Sequence, residues 1–147
     1  MDFLLVAGMH TLLNFSAAES GILDACEAAD IAVLAAAPFN SGILAREAGD
    51  FDGAWYSYTA APPALLARAK AIHAACAKHD VSLRLAALAF PLGHPAVVSV
   101  IVGAKSAAEW QDCVELMAAA DTIPPAFWTT LREEKLVPEA APLPGGA

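Results

Sequence analysis

The chain has little of most things that announce a chemistry. Its three cysteines, Cys26, Cys76 and Cys113, include no C-x-x-C pair. Odd in number, with two of them set among alanines on helical patterns, they read as small buried hydrophobes of a reducing cytoplasm. The four histidines, His10, His73, His79 and His94, lack metal-ligand spacing, so no metal site is expected. Cations are scarce: eight Lys and Arg stand against sixteen Asp and Glu, a net charge of −8 with a pI near 4.7. Without a basic stripe to displace counterions, a nucleic-acid partner is excluded. A membrane-length apolar run is missing too. The longest stretch free of Asp, Glu, Lys and Arg, Leu85 to Ala104, is broken by Pro91, Gly93, His94 and Pro95. Asp2, with no Lys or Arg before the first apolar run, is unlike a secretory signal. Nor does any group of residues read as an assembled acid, base or nucleophile.

What is present is apolar and rich in alanine. Apolar residues make up 58% of 147 positions, above the roughly 45–50% of ordinary soluble domains, enough for one domain with a real core. Phe3 to Ala7 is a short apolar run ending at Gly8 and reads as a strand buried on both faces. Ser16 and Glu19 have the spacing of a capping box, and the helix after them carries Ile22, Leu23, Cys26 and Ala29 inward. Ile31 to Ala35 reads as a second strand. The connection from Pro38 to Pro63 is long for a compact domain, which marks either a functional flap or a disordered excursion. Pro62 and Pro63 open a helix to about His79, and Ser82 to Phe90 predicts a shorter one stopped by Pro91. Val97 to Val102 is the clearest strand, β-branched except at Ser99. Ser106 and Glu109 repeat the capping box ahead of a helix through Val114 and Met117. Pro124 and Pro125 open a last amphipathic helix with Phe127, Trp128 and Leu131 inward. The tail over 137–147 has no periodicity and is expected to be disordered, leaving 1–136 as the domain.

Strands alternating with helices make an α/β fold with a parallel sheet. Three apolar strands with two open edges are not expected to stand alone, so self-association is anticipated as a way to cover them. Two stretches carry the ligand expectation, Ala36 to Leu44 and Val100 to Trp110. Each leaves an apolar run through a small-residue loop and leads toward a helix. Such a loop at the C-terminal end of a parallel strand lies close to a phosphate, and the helix beside it adds unpaired N–H groups. Two of them suit a long anionic ligand such as a dinucleotide. Plainer readings stand beside this one: an ordinary turn at Pro38 to Leu44, a solvated Lys105, solvated Glu109 and Asp112, and a structural His94. Tyr56 and Tyr58 either line a sugar pocket or merely cover the sheet end.

The segment Phe90 to Ser106, with Pro38 to Leu44 and Thr11 to Leu13, resembles the C-terminal half of an aldo-keto reductase. The resemblance runs from Phe3 to Leu136 and is strongest to the bacterial dehydrogenases of L-fucose and D-threo-aldoses. It implies a partial (β/α)8 barrel, of which this chain would supply the last three βα units with parallel strands. It also implies a nicotinamide cofactor, NAD or NADP, across the C-terminal strand ends. Ala37, Phe39, Asn40, Ser41 and Gly42 would hold its pyrophosphate. Gly103, Ala104, Lys105, Glu109, Asp112 and Cys113 would surround its adenosine end. Glu109 stands where NADP-preferring relatives often carry an arginine, so NAD is favoured. The substrate would be a small sugar or aldehyde. The family's catalytic Asp, Tyr, Lys and His have no counterpart in this stretch, so no catalytic residue is assigned here. The chain therefore reads as the cofactor-binding half of an oxidoreductase, or else as a non-catalytic half-barrel acting only through association with another chain. Cys113 replaces a usual asparagine, Ala7 a glutamine, Ala36 an aromatic and His10 a tyrosine.

Overall fold

The computed structural model describes residues 2–146. Three strands, β1 (Phe3–Ala7), β2 (Ala32–Ala36) and β5 (Val97–Ile101), form one parallel sheet in the order β1-β2-β5. Phe3 pairs with Ala32 and Ala7 with Ala36, while Val33 meets Val97 and Ala36 meets Ile101. A register shift between Val33 and Leu34 leaves Val98 as an extra residue on β5. Two short helices, α1 (Ser16–Glu19) and α2 (Ile22–Ala28), return the chain from β1 to β2. Helices α3 (Pro63–Lys78) and α4 (Leu83–Ala89) lie between β2 and β5, and α5 (Ala107–Ala118) and α6 (Pro125–Glu133) follow. The chain is thus α/β with a parallel sheet, as its alternating pattern predicts.

The sheet is covered on one face. Val6, Val33, Ala35 and Val97 pack with Leu23, Cys26 and Ala17 of the first two helices. The opposite face leaves Phe3 55% and Leu5 49% exposed. The expectation of a first strand buried on both sides therefore fails, because no described element covers that face. A larger core, with Phe51, Phe90, Phe127, Ile72 and Leu131 among its buried members, joins α3, α4 and α6 beside the sheet.

Other departures have local causes. At Gly21 the backbone turns left-handed (φ 72°), so the first helical stretch breaks in two. The Ser16 capping box does not form: Ser16 is the first helical residue, and its N–H donates to Asn14 Oδ1 at 3.0 Å. The second box forms one residue out of step. Ser106 Oγ accepts from Glu109 N at 3.2 Å, and Glu109 Oε2 accepts from Lys105 N at 2.7 Å rather than from Ser106 N. The tail is not loose through its described part: Val137, Ala141 and Leu143 are buried, and Arg132 donates to the Ala141 carbonyl. Gly93 explains the close seat, since a Cβ there would come within 2.7 Å of the 142–143 backbone.

The long connection is ordered. It contains a 3-10 turn at Ile43–Ala45 and a small hairpin of β3 (Trp55–Tyr56) and β4 (Thr59–Ala60). Glu47 anchors its middle, with its carboxylate accepting from Ser82 Oγ, Leu83 N and Arg84 N at the start of α4. A negative charge on those unpaired N–H groups fixes both the loop and the helix.

Candidate functional site

Parallel strands end together, so the loops after β2 and β5 meet on one rim. Between them lies a cleft of about 480 Å³. Nine of the eleven residues assigned to a ligand from sequence line it: Ala37, Phe39, Asn40, Ser41, Gly42, Gly103, Lys105, Glu109 and Cys113. Two do not. Ala104 is exposed in the loop leading to α5 but does not face the cleft, and Asp112 turns to a neighbouring hollow beside Arg84.

The loop after β2 is held in an unfavourable backbone. Ala37, Asn40 and Ser41 have φ of 58°, 47° and 57°, followed by Gly42 at 88°. For residues with a Cβ this region costs about 1 kcal/mol or more each. The turn bonds that repay it run from Asn40 N to Ala37 O and from Gly42 N to Phe39 O. Between them the N–H groups of Phe39 and Ser41 find no acceptor among the described residues. Asn40 is 4% exposed, yet its Oδ1 has no partner. A buried amide oxygen without a hydrogen bond costs on the order of 1–3 kcal/mol. Strain and an orphaned polar atom at the same rim fit a surface completed by a ligand.

On the opposite wall the electrostatics are mixed. Lys105 brings a cation from the loop after β5, whereas Glu109 spends its carboxylate on the Lys105 N–H. Arg84, at the start of α4, is a lining residue that loop reasoning missed. One sign of it was available: it is a lone charge in the apolar run Leu83 to Phe90.

A second hollow of about 620 Å³ adjoins the first, sharing Ala37, Asn40 and Ser41. The hairpin supplies its outer wall with Trp55, Tyr56, Ser57 and Tyr58, and Gly8, Met9 and Asn14 the inner one. Ser57 N donates to Ser41 Oγ at 3.2 Å, which ties the hairpin tip to the strained loop. Ser57 and Tyr58 are themselves left-handed, so five of the eight described non-glycine residues with positive φ gather at this rim. Neither hollow is lined, among the described residues, by a proton donor or nucleophile hydrogen-bonded to a side-chain base.

Away from the rim, Asp24, Glu27 and His94 bring one ligand atom each to within 4.8 Å of one another. The imidazole argues against a cation there. Its Nδ1 accepts from Ala96 N at 3.1 Å, so the ring proton sits on Nε2 and points at Asp24 Oδ1, also 3.1 Å away. A protonated nitrogen has no lone pair for a metal. The histidine joins α2 to the turn before β5. The three cysteines are free and buried, and burial pushes the Cys76 thiol up to about 12, which leaves it inert.

Known proteins are similar to this sequence. The chain is 40% identical over 138 residues to a D-threo-aldose 1-dehydrogenase of Pseudomonas sp, covering 94% of this chain and 41% of that protein. It is 36% identical over 137 residues to a pyridoxal 4-dehydrogenase of Microbacterium luteolum, covering 93% of this chain and 39% of that protein. The chain thus spans about two fifths of the length of the curated relatives it matches. The profile of the aldo/keto reductase family matches residues 1–133. On that extent of match, joined to a parallel sheet whose strand ends share one cleft, the chain belongs to the aldo/keto reductase family.

Proposed function

We propose that this chain is the cofactor-holding portion of an NAD(P)-linked oxidoreductase acting on a small sugar or aldehyde, built as the last three βα units of a barrel over residues 1–136. The rim cleft carries this reading: a strained loop with unpaired N–H groups and an orphaned buried amide faces a lysine across a groove. The residues fit a nicotinamide dinucleotide. Ala37, Phe39, Asn40, Ser41 and Gly42 would hold the pyrophosphate through backbone N–H groups, and Gly103, Lys105, Glu109 and Cys113, the residues of the second loop and its helix that face the cleft, would surround the adenosine. When bound, the cofactor supplies or accepts a hydride. The residues of this chain bind and orient it, and the aromatic hairpin walls the adjoining hollow where a carbonyl substrate would sit. The relatives' names, an aldose dehydrogenase and a pyridoxal dehydrogenase, support a carbonyl–alcohol interconversion.

Glu109 favours NAD. Its carboxylate already occupies the N–H that a phosphate at the start of α5 would seek, and it repels a 2′-phosphate. Calorimetric titration is expected to show NAD binding more tightly than NADP, and Glu109→Gln is expected to narrow that gap about tenfold, the effect of removing one charge repulsion. Failure of both nucleotides to bind at millimolar concentration contradicts the reading. With no proton donor and base joined in either hollow, the chain alone is expected to oxidise no aldose. NAD-dependent oxidation of L-fucose by this polypeptide would overturn that part.

A second reading rests on the bare sheet face. Phe3 and Leu5 stand exposed beside a strand edge that no other described residue pairs, which supports a non-catalytic half-barrel that works only in association with another chain.

A further inference from the structure

Arg84 is a part-buried cation on the wall of the rim cleft. Its side chain is only 21% exposed, yet it has found little to bond. The nearest carboxylate oxygen, Asp112 Oδ2, is 3.6 Å from Nη1, beyond hydrogen-bonding range. Its one hydrogen bond runs from Nη2 to Cys113 Sγ at 3.7 Å, and a thiol is a weak acceptor. A guanidinium carries five N–H donors in a planar fork suited to paired oxygens. Here that fork is largely desolvated, holds only a long ion pair to Asp112 and a bond to sulfur, and lies on the wall of the cleft that also holds Lys105.

Its placement is not accidental to the fold. Glu47 holds the backbone N–H of Arg84 at 2.9 Å, fixing the root of the side chain at the start of α4. Asp112 and Cys113 on α5 then catch its tip. The root is rigid and the tip is weakly tethered. An anion in the cleft with two oxygens to offer is a better partner than one distant carboxylate and a sulfur.

From this geometry we infer that Arg84 is a phosphate clamp: its guanidinium leaves Asp112 and closes on the pyrophosphate of a nucleotide lying in the cleft. The inference rests on the cofactor reading above and adds to it a cationic ligand from α4, which neither rim loop contains. Lys105 contributes a point charge, while Arg84 contributes direction. Asp112 acts as a parking place for the clamp and competes with the ligand for it.

The test is calorimetric titration of the full chain with ADP-ribose, adenosine and inorganic pyrophosphate, for wild type, Arg84→Gln, Arg84→Lys and Asp112→Asn. For Arg84→Gln the expected result is an ADP-ribose affinity lower by tenfold or more, with adenosine binding unchanged within twofold. Arg84→Lys should restore part of the loss, since charge returns without the fork. Asp112→Asn, which keeps the arginine and frees it, should tighten ADP-ribose several-fold. Wild type that binds ADP-ribose while Arg84→Gln binds it equally well overturns the clamp alone. Equal losses for adenosine and ADP-ribose also overturn it, since they mark a merely structural arginine. Pyrophosphate binding as tightly as ADP-ribose overturns the nucleotide assignment. Wild type that binds none of the three overturns the cofactor reading itself.

Discussion

Single residues at the rim carry the clearest physical statements. His10 lies within the connection after β1 with 2% exposure, its ring 5.1 Å from that of Phe90. Neither ring nitrogen makes a hydrogen bond of good geometry. Burial lowers its pKa from 6.5 to about 4, so the folded protein holds it neutral where the unfolded chain protonates it. The unfolded state then binds the extra proton between pH 6.5 and 4. Stability is full above about pH 6.5 and falls as the pH drops through that window, by about 3 kcal/mol for this one shift. Urea midpoints for wild type and His10→Phe, compared at pH 7 and pH 4.5, check this. The phenylalanine variant is expected to lose less on acidification, and an identical loss in both proteins would rule the histidine out as the cause.

The same scale shows what could be read without coordinates. Small residues at Ala37 to Gly42 and Gly103 to Cys113 named the cleft because backbone approach to a phosphate needs little side chain. Arg84 escaped that logic, because only the packing of α4 against α5 brings its side chain to the loops. The pairing of His94 with Asp24 was hidden for a similar reason, being separated by 70 positions.

At the scale of elements, the hairpin of β3 and β4 is the unusual piece. Its two turn residues, Ser57 and Tyr58, both take φ near 50–70°, the geometry of a tight hairpin turn that prefers Asn-Gly. Tyr58 is 97% exposed, so no burial repays its backbone. Replacing the pair by Asn-Gly is expected to raise stability by about 1–2 kcal/mol, read as a higher urea midpoint. A lower midpoint would show that Tyr58 contributes contacts the structure does not display. The alternation of apolar and turn residues foretold the strands and the long helices, and they fall within a residue or two of expectation. The hairpin was not legible: two-residue strands at Trp55–Tyr56 and Thr59–Ala60 leave no periodicity to detect. The split at Gly21 turned on one left-handed glycine in an otherwise helical pattern.

For the whole molecule, the composition and the structure raise one question, which surface covers the sheet. No helix among the described residues is long and apolar enough to cross a membrane. The face bearing Phe3 and Leu5 is apolar, and among the described residues β1 and β5 each keep an unpaired edge. Burying such a face and its edges is favourable for any partner able to continue the sheet. We therefore expect the isolated chain to run above its 15.1 kDa monomer mass in sizing with light scattering, and Leu5→Glu to return it toward the monomer. A monodisperse wild-type monomer would contradict this. The tail's few apolar residues, Val137, Ala141 and Leu143, carry no sequence period; Gly93 leaves room for the 142–143 backbone and Arg132 holds the Ala141 carbonyl.

Amide-resolved NMR of the labelled chain during titration with NAD tests the central claim most directly. The account predicts saturable shifts concentrated in the loop from Ala37 to Gly42, from Gly103 to Cys113, and at the start of α4 around Arg84. Shifts elsewhere on the molecule with these segments silent, or no shifts at all, would contradict it.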